Sequence, residues 1–571
     1  MIERRTFLRW LAGSSALPLL QSACGDNDET VRAFPQGVAS GDPTPDGVLI
    51  WTRIEPVNER EHVRYELAAD PDFRRIEGTG EVVVGGETDY TVRVELTGLA
   101  PATTYWYRFT ARGATSEIGR TRTAPDPEAD VPVRIALASC QDYGGRWFHA
   151  WRTLVDRDDV DFVLFIGDYI YETIGHLAAK LPPGRTPEIP DGLELDDALK
   201  GQRAALTLAD YRALYRQYRM DPDLRAMHAH FPFVAMWDDH EFANDCWQDH
   251  ATDFDDLEGD EAEPERRAAA SRAFCEYVPV RATNAVQLYR NVRWGKHVEL
   301  VLLDERYYRD DDVVPEGPVD AAVGHIEANS AFGARTFVIK DAFDPREAAK
   351  LPTMLGAAQR EWAITALHDS TATWKVVASP LVMAQMVVDL SGFAQLPAPF
   401  RQRYYFKTDQ WDGFRSERRA FLDACADIEE LVVLSGDLHG FYASTLYADF
   451  DAPGAPIAPE YGVSAISAAT VDVQLDAVVA GNRLLSGLGL ADLIPQYDAN
   501  LLATNPHIAY AESTRNGLAI VEIGPEALDV QFLLVGDVTS PEASPAEVVA
   551  FRTPRGWRVS GQPITRLSIS T

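Results

Sequence analysis

The chain has 571 residues, 46% hydrophobic and 25% charged, a globular composition with room for more than one domain, which excludes a disordered polypeptide. A formal net charge of -34 excludes the nucleic-acid backbone as a steered partner, because counterion release requires lysine and arginine. It leaves an anionic substrate open, since bound cations can supply local positive charge.

Residues 1–30 read as an export signal and a tether rather than as part of the fold. Glu3-Arg4-Arg5-Thr6-Phe7-Leu8-Arg9 is a twin-arginine element, and the apolar stretch from Trp10 to Leu20 follows it, the pattern of a Tat signal. Tat carries folded proteins, so the product is expected in the periplasm, outside the cell or at the envelope. Cys24 and its polar sequel leave a lipid anchor open beside a free form, because Leu20 stands one place too far upstream of Cys24 for a good lipobox. No later segment is long and apolar enough to span a bilayer, and a monomer is expected. The remaining cysteines, Cys140, Cys246, Cys275 and Cys425, are too widely spaced for a disulfide framework. That leaves Cys140 available for other chemistry.

Residues 31–126 read as all β. Strands are predicted at 48–51, 63–67, 90–96 and 105–109, separated by turns rich in Gly, Pro and Asp, the spacing of a small immunoglobulin- or fibronectin III-like sandwich. The segment from Leu96 to Tyr105 resembles the fibronectin type III tyrosine corner, and Pro125-Asp126-Pro127-Glu128 reads as a linker. Strands and helices then alternate over a second domain at 130–540, an α/β pattern. An amphipathic helix is predicted from Leu206 to Tyr218, with Leu206, Tyr211, Leu214, Tyr215 and Tyr218 on one stripe. Asp249 to Glu265 and Leu181 to Asp191 read as surface insertions, and the acidic one lacks the spacing of an EF-hand. Residues 541–571 read as an irregular tail.

Four apolar runs of strand length stop at residues able to hold a metal: at Cys140, at Asp168 and Tyr171, at Asp239 and His240, and at Asp437 and His439. Runs with little alternation are strands buried on both faces, and ligand sites in such sheets collect at strand carboxyl ends. A single Gly-Asp ending is more often a turn, and Cys140, Tyr171 or His439 alone reads as core. Thiol, carboxylate, phenol and imidazole together read as a metal centre. Thiolate and phenolate favour a trivalent iron, so Cys140, Tyr171 and His439 point to iron, while Asp168, Asp239 and Asp437 suit a harder cation. Asp168 is the candidate bridge between the two.

Ser139-Cys140-Gln141, Gly167-Asp168-Tyr169-Ile170-Tyr171-Glu172, Trp237-Asp238-Asp239-His240-Glu241 and Ser435-Gly436-Asp437-Leu438-His439 resemble the motif series of the PhoD-type alkaline phosphatases, within the metallophosphoesterase superfamily. Gly37 to Pro43 and Leu49 to Arg53 resemble that family's N-terminal β domain, and Leu303 to Arg309 its internal motif. The resemblance implies a metallophosphoesterase-type β-sandwich flanked by helices and an Fe3+/Ca2+ centre. It also implies hydrolysis of phosphate monoesters and diesters by an iron-held hydroxide. Asn244 or Asp238 would complete the calcium side. His240 would donate to the transition state or leaving oxygen, and Arg306 would be either a bidentate phosphate clamp or a strand-end salt bridge. A phospholipid-directed, phospholipase D-like diesterase is the alternative enzyme. A non-catalytic envelope binding protein is disfavoured by the four intact ligand sets.

Overall fold

A computed structural model describes residues 32–174, 184–194, 203–251, 261–281, 287–314, 335–481, 487, 490–543 and 546–568. The export signal, Cys24 and residues 252–260 of the acidic insertion lie outside the described residues. Among those described, no helix is long and apolar enough to cross a membrane.

Phe162–Ile166, Phe233–Met236 and Leu431–Ser435 are buried at every residue, as their apolar runs predict, and so is Val298–Leu302 despite its Glu299. They are inner strands of two sheets sharing one core. In the first, Val133–Ala138, Phe162–Ile166 and Phe233–Met236 run parallel, with Phe165 opposite both Ala138 and Ala235. In the second, Val298–Leu302, Trp374–Ser379, Leu431–Ser435 and Ala458–Gly462 run parallel. Alternate residues of the second sheet divide between the layers. Leu300, Val376 and Val432 join the core between the sheets, whereas Val301, Val377 and Val433 pack with Leu367 and Phe421 on the outer helices Gly356–Asp369 and Arg415–Ala424. The expected α/β architecture, a β-sandwich flanked by helices and preceded by an all-β unit, is the one observed. A parallel bridge between Ser139 and Ala465 ties the sheets beside the strand ends.

The N-terminal unit is a sandwich, and its tyrosine corner is present: the Tyr105 hydroxyl accepts from the Ala100 amide at 2.9 Å. One of its two layers is not separate from the second domain. Val38–Thr44, Gly47–Arg53 and Thr91–Thr97 continue the first large sheet, joined through a parallel pairing of Gly41 with Phe233. A Cβ at residue 41 would stand 2.0 Å from the Pro279 carbonyl oxygen and 2.7 Å from that of Phe233, so glycine is required there. Val38–Thr44 was not among the expected strands, since its Gly-Asp-Pro ending reads as a turn.

Two further expectations are corrected. The helix begins at Leu208 with Thr207 and Asp210 forming a capping box, so Leu206 lies before it and is partly exposed, while Tyr211, Leu214, Tyr215 and Tyr218 are buried as predicted. The segment 541–571 is not an irregular tail: Glu547–Pro554 and Thr565–Leu567 extend the first sheet beyond Ala527–Leu534. Its Val548, Val549 and Phe551 pack on the central core, an alternation interrupted by prolines on either side.

A small sheet of Thr336–Ile339, Arg403–Lys407 and Val387–Asp389 stands apart from the two layers. It returns the chain to the carboxyl ends of their strands.

Candidate metal centre

All four strand endings converge. Cys140, Asp168, Asp437 and His439 have φ of 58°, 62°, 61° and 52°, in the left-handed region that costs non-glycine residues about 1–3 kcal/mol each. Such strain persists where surrounding structure fixes the backbone, and here it does. The Cys140 amide donates to the Gly167 carbonyl at 3.1 Å and the Gln141 amide to that of Asp168 at 3.0 Å. The buried Glu241 carboxylate accepts from the amides of Asp168 (3.1 Å), Tyr169 and Asp238 (2.7 Å). Gly167 sits at φ 110°, and a Cβ there would lie 2.7 Å from the Asp238 amide nitrogen. One carboxylate and one glycine thus hold two strand endings in contact.

The Cys140 thiol, a carboxylate oxygen of Asp168 and a ring nitrogen of His439 lie within 4.8 Å of one another. The Tyr171 hydroxyl joins them, donating to Asp168 Oδ2 at 3.0 Å and standing 3.3 Å from His439 Nε2. His439 Nδ1 is 2.6 Å from the Ala469 carbonyl. The carbonyl only accepts, and the Gln474 side-chain amide, also 2.6 Å from Nδ1, can turn its oxygen to it, so Nδ1 carries the proton and Nε2 presents its lone pair. Burial lowers this imidazole to about 4, keeping it neutral and fit to coordinate.

A second cluster, again within 4.8 Å, consists of one oxygen each from Asp168, Asp238, Asp239 and Asp437. Asp168 is common to both clusters, and its Oδ1 is buried without a hydrogen-bond partner. Burial, with Asp239, Glu241 and Asp437 nearby, raises the Asp168 carboxyl well above the ordinary range. Burial and the Asp168 and Asp437 carboxylates do the same to the Cys140 thiol, and burial, Asp168 and Cys140 to the Tyr171 phenol. A packed set of would-be anions with an orphaned bridging oxygen is what bound cations relieve. The sulfur-phenol-imidazole set fits iron and the all-oxygen set a harder ion.

His240 lies beside these clusters. Its Nδ1 is 2.6 Å from Glu172 Oε2, and its ring faces that of Tyr171 at a centroid distance of 4.1 Å. Burial alone would lower its pKa, but the carboxylates of Glu172, Asp168 and Asp239 outweigh it and raise the pKa well above the ordinary value. The Asn244 backbone amide donates to Glu172 Oε1 at 2.9 Å, and the residue borders the cavity shared by Tyr171, Asp239, His240, Asp437 and His439. Asp238 lies beneath instead, paired with Arg306. The cavity has a volume of about 70 Å³ and lies at the ends of these strands, with room for a reacting group.

The clamp reading of Arg306 is corrected. Its guanidinium is fully buried under the carboxylates, donating to Asp238 and, at 2.7 Å, to Asp409 Oδ2, with Asp239 Oδ2 at 3.5 Å and Asp437 Oδ1 at 3.7 Å. It is the strand-end salt bridge. Arg306→Met should therefore cost about 3–5 kcal/mol of stability by leaving several buried charges uncompensated; a denaturation midpoint equal to that of the wild type would refute this role.

Three residues at the centre received no role from the sequence. Glu172 and Glu241 stand within quoted motifs, as buried acids beside ligands, and that position was their only signal. Lys407, from the small sheet, had none: its Nζ lies 3.0 Å from Asp245 Oδ1, 3.6 Å from Asp409 Oδ2 and 3.8 Å from Asp437 Oδ2.

A family model described as PhoD-like phosphatase matches residues 135–532, and one described as PhoD-like phosphatase, N-terminal domain, matches residues 20–125. The chain is 30% identical over 531 residues to alkaline phosphatase D of Bacillus subtilis (strain 168), covering 90% of this chain and 79% of that protein. A solved structure of PhoD superposes with a TM-score of 0.74 at 28% identity, covering 95% of this chain and 93% of the other. A purple acid phosphatase from yellow lupin is a more distant match, with a TM-score of 0.48 at 10% identity, covering 90% of this chain and 74% of that one.

Proposed function

The chain belongs to the PhoD-like phosphatase family, and from that premise we propose that it is an exported phosphatase acting on phosphate monoesters and diesters with Fe3+ and Ca2+. The supporting observation is the pair of donor clusters meeting at Asp168, one of sulfur, phenol and imidazole, the other of carboxylates alone. Cys140, Asp168, Tyr171 and His439 would hold iron; Asp168, Asp239, Asp437 and Asn244 would hold calcium. When bound, such ions supply Lewis-acid activation of water and neutralise phosphate charge. The protein supplies the remainder. His240, protonated and aimed by Glu172, donates a proton or hydrogen bond from Nε2 to the leaving oxygen. His439 keeps its ligand tautomer through Ala469.

Export rests on the Arg4-Arg5 element and the apolar run behind it. Chelation of the purified protein should abolish hydrolysis of p-nitrophenyl phosphate and of its bis ester. It should also remove roughly 4 kcal/mol of stability relative to protein held at a thousandfold excess of metal over Kd. Full activity in metal-free protein would overturn the scheme. A visible absorption band from the Tyr171 phenolate, lost in Tyr171→Phe, would place iron at the first cluster. Phosphatidylcholine, assayed in parallel, separates a phospholipid diesterase from the broader enzyme.

A further inference from the structure

Neither the family motifs nor the strand-end logic assigns any role to Lys407, the last residue of the strand Arg403–Lys407. The geometry points to Lys407 as a direct ligand of the substrate's phosphoryl group, in the cavity that it shares with His240; this rests on the hydrolytic reading given above.

Lys407 borders the same cavity as Tyr171, Asp239, His240, Asp437 and His439. It arrives from an element outside the two main sheets. Its ammonium carries three donors. Only Asp245 Oδ1, at 3.0 Å, lies within hydrogen-bond range among its carboxylate neighbours; Asp409 and Asp437 stand at 3.6 and 3.8 Å. Asp409 does not depend on it, because Arg306 Nη1 reaches Oδ2 at 2.7 Å and Arg309 Nη2 reaches Oδ1 at 2.6 Å. Asp437 is held separately by the Gln410 side-chain amide. Asp409 and Asp437 therefore have other partners, and only Asp245 relies on Lys407, through one oxygen at 3.0 Å, which leaves two of its donors for the cavity.

The alternatives within the site are weaker. Arg306 is buried beneath the carboxylates. Arg146 also borders the cavity, but its Nη1 is committed to Asp142 and to the Gly144 carbonyl. An ammonium on a flexible stem binds phosphate as a point charge and can follow its oxygens between ground and transition states.

The test uses the full chain after metal loading. Binding of inorganic phosphate is measured by calorimetry, and KM and kcat with p-nitrophenyl phosphate, alongside iron and calcium content and melting temperature. Lys407→Met should weaken phosphate binding and raise KM about 10- to 100-fold, the loss of one charge-assisted hydrogen bond, with both metals retained. Lys407→Arg should restore most of the binding. Lys407→Gln, which keeps a donor for Asp245, guards against a misfolded Met variant and should show the same loss. Unchanged phosphate binding at unchanged metal content overturns the assignment. Loss of calcium in the Met and Gln variants also overturns it, because Lys407 would then serve to hold the carboxylates. Phosphate binding is read without turnover, so an inactive wild-type enzyme would count against the hydrolytic reading independently of this contact.

Discussion

Asp168→Asn should yield a folded, inactive protein, with hydrolysis reduced at least about 10³-fold and both metals lost together. Asp168 is the residue common to the two donor clusters, and its Oδ1 has no hydrogen-bond partner among the described residues. An amide keeps the size and the left-handed backbone of the strand ending, which asparagine tolerates, but cannot bridge two cations as a carboxylate does. The same change should act oppositely on the metal-free fold. Burial and the neighbouring carboxylates raise Asp168 well above its ordinary 3.8. Between that value and the raised one the native state binds the extra proton, so metal-free wild-type protein loses stability as pH rises above about 4. The variant should lack this contribution and melt at an equal or higher temperature when free of metal, while gaining nothing from added iron and calcium. A variant that keeps iron, or whose metal-dependent stabilisation equals that of the wild type, would remove Asp168 from the bridge.

His240→Asn should lower kcat about 10²- to 10⁴-fold at unchanged metal content, because His240 contributes a proton donor and lies outside both ligand clusters as assigned. Glu172 decides how that donor works. Its Oε2 fixes Nδ1 at 2.6 Å and turns Nε2 away from it, and it leads the carboxylates that overcome burial in raising the imidazole pKa. Cations held by Asp168 and Asp239 would offset the influence of those two, whereas Glu172 is in neither set. Glu172→Gln should therefore shift the alkaline limb of the kcat profile to lower pH, the direction expected when a proton donor loses its anionic partner. The pair also contributes to stability, fully below the ordinary histidine value of 6.5 and progressively less as pH rises through the raised native value. An unmoved alkaline limb in Glu172→Gln would separate His240 from the titration, and more than a tenth of wild-type kcat in His240→Asn would exclude it as the donor.

Much of the centre was legible because its parts are local. A strand buried on both faces must be apolar throughout, so its end is marked by the first polar residue, and at Cys140, Asp168, Asp239 and Asp437 that residue or its neighbour is a candidate ligand. Tyr171 and His439 lie within three residues of those endings. Arg306 was ambiguous for the opposite reason. A clamp and a salt bridge have the same sequence, and only the positions of Asp238 and Asp409, 68 and 103 residues away, distinguish them. Lys407 and Gln410 were invisible, since Lys407 ends a strand of a small sheet and Gln410 lies in the turn after it, and the return of that sheet to the strand ends leaves no periodic trace.

The sequence by itself determined the layered α/β class, the N-terminal β unit, the two donor types and their order along the chain. Each follows from side-chain chemistry and strand burial within about ten residues. Only the tertiary structure decided that the N-terminal layer continues the large sheet through Gly41 and that the last strands belong to it. It alone decided that Arg306 lies beneath the carboxylates while Lys407 borders the cavity. These depend on distances between segments far apart in the chain, and a buried charge acquires its role from the partners that folding places around it.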